Sequence, residues 1–135
     1  MSESPVAGVD HIGILVEDID KALPYFIEHL GFPLVADDVA DEAGARLAYV
    51  DAGNTMIQLV SPTGPGPIAD KLAEQGEGLH HVCFKVEEMY AAIEAISPGA
   101  KPKVLKGGRN RLAAFLPDRP SGLIMELTEI DELPD

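Results

Sequence analysis

Four side chains of this 135-residue chain form a set that can do chemistry: His11, Gln58, His81 and Glu126. Two imidazoles, an amide and a carboxylate suit a divalent transition ion such as Co²⁺, Mn²⁺, Ni²⁺, Fe²⁺ or Zn²⁺. They are far apart in the chain, so only a fold that brings several strands to one place can assemble them. Strand alternation supplies that placement, because successive side chains point to opposite faces. In segments 9–16, 55–60, 81–86 and 123–128 the branched apolar residues take one face, and these four residues take the other. A lone strand histidine is more often structural than a ligand. What favours a metal site is one ligand-capable side chain on the same face of four separate strands.

Those strands belong to two copies of one plan. Asp10-His11-Ile12-Gly13-Ile14-Leu15-Val16 is answered by His80-His81-Val82-Cys83-Phe84-Lys85-Val86, each run ending in an acidic pair, Glu17-Asp18 and Glu87-Glu88. Helical spacing follows in both: Ile19, Leu23, Phe26, Ile27 and Leu30 up to Gly31, then Met89, Ile93 and Ile96 up to Ser97-Pro98-Gly99. Asp18 is placed to cap the first helix, and Pro24 fits only within a first turn. A short strand is expected at 34–36, then an acidic loop at 37–44. A hairpin follows, with strands 46–50 and 55–60 about a turn at 51–54. In the second copy 103–105 is a candidate strand, and Arg111-Leu112-Ala113-Ala114-Phe115 echoes Arg46-Leu47-Ala48-Tyr49-Val50. The last strand, 123–128, turns Leu123, Met125 and Leu127 inward.

The fold class is therefore α+β: two tandem βαβββ modules whose mixed sheet curls into a cup, with helices on its outer face. The modules fall at about 6–61 and 78–129 of a single domain. A linker at 62–67 and a short helix at 68–75 join them. Alternation sends His80 to the side opposite His81 and leaves His29 near a helix end. Cys83 falls on the cup face as a small space-filler.

Composition narrows the partners. A formal net charge of −13 should repel nucleic acid and anionic lipid. No apolar run approaches the ~20 residues of a membrane span. One cysteine cannot make an internal disulfide and no secretion signal is visible, so a cytoplasmic setting is expected. Half of the ten Lys and Arg residues cluster as Lys101, Lys103, Lys106, Arg109 and Arg111, either a solvated loop or a landing site for an anionic small molecule.

Three motifs carry a resemblance. Val9-Asp10-His11-Ile12-Gly13, Gly76-Glu77-Gly78-Leu79-His80-His81-Val82 and Gly122-Leu123-Ile124-Met125-Glu126-Leu127 resemble the vicinal oxygen chelate (glyoxalase/bleomycin-resistance) superfamily. Pro67 to Leu72 leading into Gly76–His81 is most similar to its methylmalonyl-CoA epimerases. The resemblance implies His11, Gln58, His81 and Glu126 as ligands of one divalent ion, Co²⁺ foremost. It also implies epimerisation of a 2-carboxyacyl-CoA through a metal-stabilised enolate, by 1,1-proton transfer. Glu126 would be one acid/base. Asp38 aligns best with the second, where the family usually has a Glu. A homodimer and an acyl-CoA substrate are implied as well. Other readings are a glyoxalase-type isomerase, an Fe²⁺ dioxygenase built on His11, His81 and Glu126, and a non-catalytic small-molecule binder.

Overall fold

A computed structural model describes residues 4–134, in the order β1 (Gly8–Leu15), α1 (Ile19–Pro24), β2 (Leu34–Ala40), β3 (Ala45–Asp51), β4 (Met56–Pro62), α2 (Pro67–Gln75), β5 (Gly78–Val86), α3 (Met89–Ile96), β6 (Val104–Lys106), β7 (Leu112–Phe115) and β8 (Met125–Glu129). All eight strands form one sheet in the order β2-β3-β4-β1-β5-β8-β7-β6. Each half contributes four consecutive positions. In each, the first strand pairs in parallel with the last, β1 with β4 and β5 with β8. The two histidine strands meet antiparallel at the centre. Among the described residues, no helix is long and apolar enough to cross a membrane.

Alternation distributes the core. On the outer face α1 packs on Ile14, Ala48, Ile57 and Leu59, and α3 packs on Phe84, Val86, Ala114 and Leu127. Side chains of Asp18 and Glu88 cap these helices by accepting the backbone N–H of Asp20 and Ala91. The short α2 lies on the other side. Its Ile68 and Leu72 cover Leu15, Leu47, Tyr49 and Val60 on the cup face of the first half.

Three local expectations need correction. Pro24 is the last residue of α1 rather than part of its first turn. A π-helical turn, Tyr25–His29, follows directly, with Leu30 N–H bonded to the Tyr25 carbonyl. A proline lacks the N–H that would continue the α ladder, so a change of helical pitch there has a covalent cause. Strand β2 runs through Ala40, and the supposed acidic loop begins only afterwards. Asp37 to Ala40 pair antiparallel with Ala48 to Ala45, and Arg46 forks onto Asp37 at 3.0 and 2.8 Å. Cross-strand pairing outweighs the poor strand propensity of aspartate. Leu123 precedes β8 instead of opening it and is half exposed, because a turn at Pro120–Gly122 delays pairing until Met125.

A candidate metal centre in the cup

The four ligand-capable residues reach the cup from the four central strands. Gly13 of β1 is the hinge of the arrangement, lying opposite His81 with Gln58 on its other side. A Cβ on Gly13 would sit 2.2 Å from Cε1 of the His81 ring, so the ring occupies space that only glycine leaves free. His11 Nε2 and His81 Nε2 are 3.2 Å apart, and Glu126 Oε1 lies 3.3 and 3.0 Å from them. His11, Gln58 and His81 are all buried. They line a cavity of about 280 Å³, as does Glu126.

Each histidine is fixed from behind by the residue before it. His11 Nδ1 and Asp10 Oδ2 are 2.6 Å apart, and His81 Nδ1 lies 2.7 Å from His80 Nδ1. A carboxylate only accepts, so His11 donates from Nδ1 and turns its Nε2 lone pair into the cup. When His81 donates to His80 in the same way, its Nε2 lone pair also faces Glu126. Three lone-pair-bearing atoms within 3.3 Å of one another repel unless a proton or a cation lies among them. The amide of Gln58 adds a fourth. Its Nε2 donates to the Tyr49 hydroxyl at 2.9 Å, while Oε1 is buried with no hydrogen-bond partner. A buried acceptor left unsatisfied is costly, and a cation is what this donor set lacks. His11, His81 and Glu126 offer atoms all within 4.8 Å of one another. The residues present fit a divalent ion.

Electrostatics point the same way. Burial alone would raise the Glu126 carboxyl, but hydrogen bonds and charge from His11 and His81 hold it well below the usual carboxylate range. Burial lowers the His11 imidazole. The Asp10 bond and then Glu126 outweigh it, leaving His11 above its ordinary value. Asp10 is held low against its own burial by His11 and Arg109. His80, half-buried beside His81, is pushed down to about 4 by desolvation and the neighbouring His81 and stays neutral. Cys83 sits near Asp10 and His11, and burial raises its thiol well above normal, which makes it a poor ligand.

Alternation alone misplaces two residues. His80 does not face away from His81. It lines the same cavity and touches that ring. Between Gly13 and Ile14 the β1–β5 register slips, so that two residues of β5 oppose one of β1, and the slip turns His80 inward. The mirror slip between Val9 and His11 turns Asp10 toward His11. Asp10 was not singled out as functional. The available signal was an aspartate at a position that alternation gives to the apolar outer face. The echo of 46–50 in 111–115 is also one residue out. Tyr49 pairs with Gln58 and Phe115 with Glu126, so these two aromatics are the structural equivalents. Each presents an edge-to-face contact to its own half's histidine, 5.4 Å for Tyr49–His11 and 5.7 Å for Phe115–His81.

Asp38, expected as the second acid/base, lies apart from the other site residues. Asp38 accepts the backbone N–H of Arg109 at 2.6 Å and lines a separate groove with Val35 and Arg111. It does not line the cavity. Glu42 does, from the rim, while Leu47, Val60 and Ala45 make the wall beside it apolar. The basic cluster is divided too. Lys103 lines the cavity, whereas Arg109 is buried in an ion pair with Asp10.

A curled eight-stranded sheet of paired βαβββ halves, with polar residues converging at its centre, defines a class. The chain belongs to the Glyoxalase/Bleomycin resistance protein/Dioxygenase superfamily, whose family model matches residues 10–113. It is similar to a methylmalonyl-CoA epimerase from Mycobacterium tuberculosis, at 30% identity and a TM-score of 0.87, over 99% of this chain and 93% of that one. It is 29% identical to an ethylmalonyl-CoA/methylmalonyl-CoA epimerase of Cereibacter sphaeroides, over 93% of this chain and 99% of that protein. A methylmalonyl-CoA epimerase solved in complex with methylmalonyl-CoA and NH4⁺ shares 28% identity and a TM-score of 0.81, over 96% and 99% of the two chains.

Proposed function

We propose that this protein is a metal-dependent epimerase of a 2-carboxyacyl-CoA thioester such as methylmalonyl-CoA, with His11, Gln58, His81 and Glu126 as ligands of one divalent ion, Co²⁺ foremost. The observation that carries the reading is the convergence of His11, His81 and Glu126 within 4.8 Å at the wall of a cavity. Supporting it is likeness along nearly the whole chain to proteins named as epimerases of such thioesters. A bound divalent ion supplies Lewis acidity at substrate oxygens, which lowers the cost of charge developing at the α-carbon.

The chain's residues supply the rest. Glu126, held ionised and facing the cavity, is placed to take the α-proton. Leu47, Val60 and Ala45 exclude water from one side and receive the acyl substituent. With Asp38 outside the cavity, Glu42 is the carboxylate available at the rim to return a proton from the other face. Lys103 is the cluster residue placed to meet an anionic part of the substrate. A CoA thioester fits a cytoplasmic setting. Edge strand β2, with Val35 and Val39 exposed, offers a route to the expected homodimer.

Exchange of the α-hydrogen of methylmalonyl-CoA in D₂O with added Co²⁺ tests the assignment, and exchange should come with inversion at the α-carbon. Absence of exchange with metal bound rejects it. The apolar wall beside exposed Glu42 favours one second reading, a glyoxalase-type isomerase using Glu126 as its single base. That reading predicts isomerisation of a thiohemiacetal and no exchange into methylmalonyl-CoA.

A further inference from the structure

Arg109 reaches the supports of both first-half ligands, although it comes from the β6–β7 turn of the second half. Its guanidinium forks onto Asp10, in close contact with Oδ2 and with Nη1 3.4 Å from Oδ1. Asp10 in turn accepts the Nδ1–H of His11. The same guanidinium lies 4.5 Å above the centre of the Tyr49 ring, whose hydroxyl accepts the Nε2–H of Gln58. The preceding Gly108 makes room for this, since a Cβ there would sit 2.3 Å from the Tyr49 hydroxyl.

The backbone of the turn is clamped in place. Arg109 and Asn110 have φ of 57° and 56°, in the left-handed region that asparagine tolerates and arginine rarely adopts. Asp38 Oδ2 accepts the Arg109 N–H at 2.6 Å. Leu133 N–H bonds to the Asn110 carbonyl at 2.8 Å, and the Asn110 amide donates to the Leu133 carbonyl at 3.1 Å. Sparsely populated conformations persist where the surroundings over-determine them, and they gather at functional sites.

We infer that Arg109 is a positioning residue for the candidate metal centre. Through Asp10 it holds His11 in the tautomer whose Nε2 lone pair faces the cup. Through Tyr49 it holds the Gln58 amide with its oxygen free. Without the guanidinium, the Asp10 carboxylate loses the fork that fixes its orientation and is free to swing away from the imidazole. That removes the fixed acceptor for His11 Nδ1–H. Asp38 then acts as the anchor of the turn that presents Arg109. The consequence for metal affinity rests on the proposed metal site, whereas the effect on the His11 tautomer does not.

The test compares wild type, R109M, R109K and D38N in three measurements: Co²⁺ titration, the visible spectrum of the Co²⁺ protein, and ring ¹⁵N shifts of His11 without metal, taken at a pH high enough to leave its raised imidazole neutral. R109M should bind Co²⁺ about 10- to 100-fold more weakly, with an altered spectrum and a His11 that is no longer one tautomer. R109K, which keeps the charge but not the fork, should fall between, and D38N should move the same way by less. R109M with Co²⁺ affinity within about twofold of wild type and an unchanged spectrum would overturn the inference. Should wild type bind no Co²⁺, the metal reading fails first, and an unchanged His11 tautomer in R109M still overturns the positioning role. If R109M does not fold, R109K and D38N decide by the same measurements.

Discussion

The two halves of the cup perform the same placement with different chemistry. In the first, His11 is backed by Asp10, faced by Tyr49 and flanked by Gln58. In the second, His81 is backed by His80, faced by Phe115 and flanked by Glu126. The backing differs most. Asp10 is a buried charge tied to Arg109, whereas His80 is a half-buried neutral ring. The comparison teaches that one scaffold with mirrored bulges can back one imidazole with a charged carboxylate and the other with a neutral ring. The half with the charged backing carries the neutral amide, and the half with the neutral backing carries the charged carboxylate.

The largest effects should come from the shared centre. E126Q or H81A removes a proposed ligand, and we expect no measurable Co²⁺ binding by equilibrium dialysis. G13A should approach that loss, because the added methyl enters the space of the His81 ring, 2.2 Å from Cε1. Retained binding in G13A would show that His81 has another position open to it.

Next comes the contrast between the halves. D10N should weaken Co²⁺ binding about 10- to 100-fold, and H80Q should cost less. Equal losses would make the two backings equivalent and break the comparison. Acidity sharpens it further. Because His11 is raised above its ordinary value, protons should compete with the ion from above pH 6.5 downward, with affinity falling about tenfold per pH unit as one proton is taken up. Glu126, held low, should contribute nothing to that slope in this range. Titrations at several pH values would reveal it.

The smallest effect belongs to the surface. Arg46 bridges Asp37 and Asp20 and is partly exposed, so R46A should cost less than about 1 kcal/mol in urea unfolding. The Arg46 hydrogen bond holds the Asp37 carboxyl below its ordinary value. Its contribution is therefore complete above pH 3.8 and is lost as pH falls through the lower folded value.

Much of the site was legible in the sequence. Period-two alternation in β1, β4 and β5 placed His11, Gln58 and His81 opposite the apolar outer face, because a buried sheet tolerates few exceptions to that rule. Asp18 was legible as the cap of the first helix, and the structure gives Glu88, in the matching acidic pair, the same role in the second. What alternation could not show was where it is interrupted. A bulge is one extra residue in one strand, defined only against its partner. Nothing within Asp10 or His80 announces that β1 and β5 will slip there. The same reason hid the one-residue offset between 46–50 and 111–115. Asp38 was singled out by resemblance alone, and its carboxylate is held by a turn seventy-one positions away. The face on which His11, Gln58 and His81 lie thus followed from local pattern, a property of one strand at a time. The backing of each histidine, the exclusion of Asp38 from the cavity and the reach of Arg109 across the halves were decided by registers between strands, which exist only once the sheet has closed.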